Sequence, residues 1–176
     1  SAAGCWGAEG SVSVTINPVP GVVTVSGAGA FCGSTTITAS GGTGGTIYYQ
    51  GTTSGGTSTA TPSTSQLITT TGTYYFRAQN AFGCWSIEGS AAVTINAIPT
   101  ATTVSGGGTF CGSTTITASG GTGGTIYFQG TTSGGTSTAT PSSSQVISAS
   151  GTYYFRSRSA AGCWGAEGSV SVTINP

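Results

Sequence analysis

The sequence repeats itself every 79 residues, and that period limits what the chain can fold into. GCW stands at 4–6, 83–85 and 162–164, and FCGSTTITASGGTGGTIY stands at 31–48 and again at 110–127. Residues 19–97 and 98–176 are identical at 58 of 79 positions. A period of this length means a row of equivalent modules rather than one large domain. Residues 1–18, SAAGCWGAEGSVSVTINP, recur letter for letter as 159–176. The phase divides the chain into 1–18, the C-terminal strand region of a preceding repeat, and two full repeats at 19–97 and 98–176. The chain reads as a stretch of a continuous tandem array. Strand donation between separate subunits is the other reading, but both repeats own a last strand, SAAVTIN and SVSVTIN, so the extra copy fills no gap.

Composition separates the chain from a flexible linker. Glycine is abundant at 32 residues and charged residues are 3 %, yet 9 % of residues are aromatic. Disordered segments combine high charge with few aromatics. Here apolar letters alternate with Thr and Ser in short runs, the mark of half-buried strands. Within 19–97, seven strands are expected: 22–26, 34–40, 46–50, 57–61, 65–70, 73–79 and 90–96, with GGTGG and SGGT as turns. Seven short strands without helical periodicity predict an all-β chain of tandem immunoglobulin-like β-sandwiches.

The last hairpin supplies its own register. If Arg77 faces Glu88, then Phe76 faces Gly89 and Tyr74 faces Ala91. The inward side becomes Tyr74, Phe76, Ala78, Ala91, Val93 and Ile95. A slip of one residue would turn Arg77 and Thr94 inward. Arg156 and Glu167 repeat the pattern. A cross-strand contact of this kind contributes about 0.2–1 kcal/mol and reads as structural, not catalytic.

Absent residues exclude much chemistry. There is no His, Asp, Lys or Met, so no Ser-His-Asp triad, imidazole base or His-based zinc site is available, and no Asp-rich calcium loop. One Glu recurs per repeat, so no repeat offers the carboxylate pair of a glycosidase. Three Arg make no stripe for nucleic acid. No apolar run is long enough to span a membrane. Neither an enzyme nor a bound cofactor or metal is expected.

The stretches CGSTTITASGGTGGTIYY, TPSTSQLITTTGTYYFRAQNAFGC and AVTIN resemble the Ig-like repeats of large secreted bacterial surface proteins, including gliding-type adhesins of Bacteroidota. The resemblance spans both full repeats and the leading tail. It implies an extracellular, cell-surface location and a role as stalk or adhesive fibre. Tyr49 and Phe128 stand where members of that family often place Trp.

Each full repeat carries two cysteines, which in an exported protein read as disulfides rather than metal ligands. Cys32 and Cys111 precede the second expected strand. Cys84 and Cys163 lie in the turn before the last strand, and Cys5 is that same turn one repeat earlier. Bonding inside a repeat would give Cys32–Cys84 and Cys111–Cys163. In Ig topology, however, those two turns lie at opposite ends of a strand about 20 Å long, whereas bridged Cα atoms lie within about 7 Å. In a head-to-tail array Cys32 instead meets Cys163, and Cys5, Cys84 and Cys111 bond repeats outside this stretch. Trp6, Trp85 and Trp164 adjoin these cysteines and are expected to pack at the joints, beside linkers stiffened by proline at NPVPG and NAIPT.

Function is therefore expected to be structural: a rigid filament or stalk with disulfide-stabilised joints. Its partners would be neighbouring repeats of the same polypeptide and parallel fibres, which low charge allows to approach. The alternative is an adhesive module, in which exposed Tyr75 and Tyr154 with the tryptophans stack on a glycan, or Thr rows such as STTIT and TSTAT match ice. Thr also simply favours strands.

Overall fold

A computed structural model describes residue 4 and residues 6–176. The first repeat forms β1 (Val23–Ser26), β2 (Gly29–Cys32), β3 (Thr35–Gly41), β4 (Thr46–Tyr49), β5 (Ser65–Ile68), β6 (Gly72–Gln79) and β7 (Gly89–Asn96). The second forms β8 (Thr102–Ser105), β9 (Gly108–Cys111), β10 (Thr114–Gly120), β11 (Thr125–Phe128), β12 (Ser144–Ile147), β13 (Gly151–Arg158) and β14 (Gly168–Asn175). In each repeat a three-stranded sheet (β1-β3-β5, β8-β10-β12) accompanies a four-stranded one (β2-β7-β6-β4, β9-β14-β13-β11). The fold is all-β, in tandem immunoglobulin-like sandwiches of seven strands per 79-residue repeat. By compactness the chain divides into two units: one holds Ile37–Gln66 and Thr73–Ala91 with the chain ahead of Gly27, the other Gly27–Thr36, Leu67–Gly72 and Ala92–Pro176.

Two strand expectations are corrected. Residues 57–61 form a loop and not a strand. The cause is Gln50, whose buried side-chain amide takes both main-chain groups of Ser58, accepting from its N–H and donating to its C=O, each at 2.9 Å. Those groups are thereby withdrawn from any ladder. Beyond Ser58, the N–H of Tyr49 reaches the Thr61 carbonyl and the N–H of Ser63 reaches the Ile47 carbonyl, which covers the edge of β4. Gln129 holds Ser137 in the same way.

The second correction is the additional strand β2, with β9 as its equivalent. The chain leaves β1, which pairs antiparallel with β3, and re-enters as β2, which pairs parallel with β7 from Gly29↔Val93 to Cys32↔Asn96. Changing sheets within a few residues requires Gly27 and Gly29 at φ 95° and 142°, conformations that residues with a Cβ rarely adopt.

The inward side of the last hairpin forms as the register argument requires. Tyr153 pairs with Val170 and Phe155 with Gly168 in the second repeat. In the first, Tyr74, Phe76, Ala78, Ala91 and Val93 are buried, while Ile95 is half-buried. The second core gathers Ile116, Ala118, Ile147, Tyr153, Phe155 and Val172. Phe128 stacks on Tyr153 and tilts against Phe155. No described helix is long and apolar enough to cross a membrane.

Residues 6–22 form no strand. Val12, Val14 and Ile16 are exposed there, although GSVSVTIN at 10–17 is identical to β14.

Candidate functional site

The chemistry-bearing side chains gather around the loop between the last two strands of each repeat. In the second repeat this loop is a tight turn. Ser159 N–H donates to the Cys163 carbonyl at 2.8 Å, and Cys163 N–H donates to Ser159 Oγ at 3.1 Å. Gly162, at φ 89°, closes it. In the first repeat Asn80 does the same work: its Oδ1 accepts from the N–H groups of Phe82 and Cys84 at 3.0 and 2.9 Å, and Gly83 has φ 80°.

Cys163 at the end of this turn is bonded to Cys32 at the end of β2, with Cα atoms 5.6 Å apart and a sequence separation of 131. Both cysteines belong to the same compact unit. Cys163 is 1 % exposed. The bond ties the first repeat covalently to the second, and no bond forms between Cys32 and Cys84 or between Cys111 and Cys163. Cys84 and Cys111 are free thiols, half-buried and exposed respectively. Cys5 lies outside the described residues.

The arginine and glutamate meet through a third segment. Arg77 Nε and Nη2 donate to the Ser86 carbonyl at 3.1 and 3.0 Å, and Nη1 donates to the Gly55 and Gly56 carbonyls, each at 3.2 Å. Glu88 accepts from the Ser54 hydroxyl and the Gly55 N–H, each at 2.7 Å. Arg156 and Glu167 hold Ser133, Gly134 and Gly135 in the same fashion. The glutamates bond this loop, while each arginine divides its bonds between the loop and the segment before the last strand, at the Ser86 or Gly165 carbonyl, and neither arginine bonds its glutamate directly. The reason is a bulge: in the second repeat the ladder stops at Phe155↔Gly168, and the next bridge is Arg158↔Trp164. One strand has one more residue than its partner between those two pairs, which turns the glutamate toward the loop. The Gly55 and Gly134 N–H groups, then the Ser54 and Ser133 hydroxyls, hold both carboxyls below the usual carboxylate range. The nearby arginine charge adds to this, against a small opposing effect of burial.

Trp85 and Trp164 pack on their own repeats. Trp85 takes the edge of Tyr48 at 5.8 Å and lies under the Arg77 guanidinium at 5.3 Å. Trp164 is flanked likewise by Tyr127 and Arg156, with Arg158 at 5.7 Å. Trp6 is exposed. Trp85 also lines an open cleft of about 660 Å³ with Val19, Pro20, Val22, Ile87 and Glu88. Tyr75 and Tyr154 are half-buried, which corrects the expectation that they stand exposed. In the first three-stranded sheet the hydroxyls of Thr24 and Ser40 pair at 2.8 Å and those of Ser26 and Thr38 at 2.7 Å. Among the described residues no group of three or more His, Cys, Asp or Glu is placed to hold a metal ion.

Of this site, the cysteines and the charged pair are visible in the sequence from their recurrence at 79 residues. SGGT at 54–57 is expected as a turn, but its hold on the arginine and glutamate, and the role of Gln50, escaped the sequence reading. Their signal was the unbroken identity of QGTTSGGTSTATPS between the repeats.

No family model and no curated protein matches the chain. Among solved structures it is similar to the fibronectin(III)-like modules of Clostridium thermocellum CbhA, at 15 % identity over 86 % of this chain and 94 % of that one, with a TM-score of 0.38. The Drosophila OTK extracellular domains 3–5 are similar at 10 % identity over 89 % of this chain, with a TM-score of 0.42, and the N-terminal four Ig domains of Dscam1 isoform 8.4 at 14 % over 94 %, with a TM-score of 0.33. The matches span 60 % of the OTK structure and 46 % of the Dscam1 structure.

Proposed function

We propose that the chain is a two-repeat stretch of an extracellular bacterial filament or adhesin stalk, in which disulfides lock successive repeats. The observation that carries this reading is the Cys32–Cys163 bond, which joins consecutive repeats where bonds inside each repeat were the alternative. A disulfide between modules removes freedom from the segment linking them and bears load in place of non-covalent contacts. Such bonds persist in oxidising, extracellular surroundings. Residues 1–18 are then the final strand region of a further repeat, and 19–97 and 98–176 are the two complete modules. The natural neighbours are repeats of the same polypeptide and parallel fibres. A catalytic role is not part of the reading, because no His or Asp is present to move protons.

The glycan-binding alternative draws on the Trp85 cleft. It is weaker because Arg77 and Tyr48 already occupy the tryptophan ring. Hydroxyls that pair with one another are likewise a poor template for ice.

Peptide mapping without reduction tests the stalk. A linked peptide containing Cys32 and Cys163 is expected. Recovery of Cys32–Cys84 or Cys111–Cys163 instead would remove the locked joint and the function with it.

A further inference from the structure

Two of the three arginines are engaged by main-chain carbonyls, and the third is not. Arg77 and Arg156 each donate four hydrogen bonds to such carbonyls. Arg158 donates none from its side chain and forms no ion pair among the described residues, and it is exposed. Its place is nonetheless fixed. The guanidinium lies 5.7 Å from the centre of the Trp164 ring. A Cβ on Gly162 would meet Arg158 Nη2 at 3.2 Å, so the guanidinium rests on the bare backbone of the Ser159–Cys163 turn. The 79-residue counterpart of Arg158 is Gln79, which is uncharged and donates from Nε2 to the Gly83 carbonyl at 3.4 Å. A Cβ on Gly83 would meet nothing within 4 Å. Of the two full repeats, only the second places a cation here.

Beside Arg158 lies a cleft of about 430 Å³ walled by Tyr127, Thr125, Ser159 and the backbone of Gly123 and Gly124. The Cys32–Cys163 bond is formed in this arrangement, so Arg158 stays exposed beside a completed joint. A fixed guanidinium with unused donors matches a carboxylate held through two parallel hydrogen bonds. The repeats themselves do not supply that carboxylate. Asp is absent, and Glu88 and Glu167 are taken up by Ser54 with Gly55 and by Ser133 with Gly134. The acid therefore comes from another molecule, and the walls select its kind. The Thr125 and Ser159 hydroxyls and bare main chain suit a ligand rich in hydroxyls, and Tyr127 adds aromatic surface for the C–H side of a sugar ring. An extended peptide finds no strand edge to join, because the Phe128 N–H and the Ile126 carbonyl are already bonded to Thr140 and Ser142.

We propose that Arg158 anchors one uronic-acid unit of an acidic polysaccharide, with the sugar carboxylate on the guanidinium and the sugar hydroxyls toward Thr125 and Ser159. The site goes beyond the stalk role and stands apart from the Trp85 cleft of the first repeat.

The test titrates the full chain, with Cys32–Cys163 intact, with oligogalacturonate in a calorimeter at low salt. Binding is expected, and it should weaken as salt rises. Arg158→Gln installs the residue of the first repeat and should weaken binding by on the order of tenfold or more. Arg158→Lys keeps the charge without the planar fork and should fall between the two. Gln79→Arg should add a second equivalent of bound sugar, a gain that loss of folding cannot mimic. Methyl-esterified oligogalacturonate, which lacks the charge, should not bind. No binding by the unmodified chain, or unchanged binding in a folded Arg158→Gln, would overturn the proposal. Equal binding of polyglutamate or dextran sulfate would also overturn it, by showing an unselective cation in place of a sugar site. Should Arg158→Gln fail to fold, the absence of a second equivalent in Gln79→Arg would overturn it instead.

Discussion

Thr102 occupies the place that Val23 holds in the first repeat, and it shows how a single atom can cost stability. It is 3 % exposed and its Oγ1 has no hydrogen-bond partner, whereas Val23 fills the same position with a methyl. A buried hydroxyl without a partner costs about 1–3 kcal/mol. Thr102→Val is therefore expected to raise stability by about that amount in denaturant titrations; no gain would mean that the hydroxyl finds a partner in solution. The two glutamates carry a pH dependence. Their folded pKa values lie below the unfolded one. Their contribution is thus complete above the ordinary carboxylate pKa of about 4.3 and is lost as pH falls through the lower folded value. Carbon NMR titration of Glu88 and Glu167 should show midpoints below that of a free glutamate, and Ser54→Ala should move that of Glu88 upward. An ordinary midpoint in the unmodified protein would contradict the loop contacts.

At the scale of elements, β14 and residues 10–17 form a controlled pair, since both read GSVSVTIN. β14 pairs antiparallel with β13 on one side and parallel with β9 on the other. Residues 10–17 have no strand pairing, and their apolar side chains meet solvent. A strand of eight residues is held by its partners and not by propensity. Hydrogen exchange should therefore protect the amides of 169–174 strongly relative to those of 11–16, although their immediate neighbours in sequence are the same. Equal rates would mean that the leading segment docks in solution. The arginine clamp acts at this scale too. Arg156 joins the β13–β14 loop to the loop 134–135 through four donated bonds. Lysine cannot reproduce that planar fork, so Arg156→Lys is expected to lower stability by about 1–3 kcal/mol and to quicken proteolysis near residue 134.

For the molecule as a whole, the Cys32–Cys163 bond closes a loop of 131 residues. Chain-entropy arithmetic assigns such a loop up to about 5 kcal/mol. Reduction, or Cys32→Ser, should lower the midpoint of thermal unfolding by several degrees; an unchanged midpoint would show that the bond does not constrain the unfolded chain. The sequence by itself determined the module and its phase. Alternating apolar letters recur at 79 residues, and one register alone buries Tyr74, Phe76, Ala91 and Val93 together, because a slip of one residue exchanges the two faces. Tertiary structure decided the remainder. Whether 57–61 becomes a strand depends on Gln50, which takes the main chain of Ser58, and whether 29–32 becomes one depends on an open edge of β7. The glutamate is diverted to the loop 54–56, where two of the four arginine bonds also end, by a bulge whose extra residue is visible only once two strands lie side by side. GSVSVTIN has two fates in one chain, and the partners of the cysteines depend on which ends of the sandwiches come together. Local sequence sets what a segment can pair with; a pairing forms only where distant backbone presents the complementary edge.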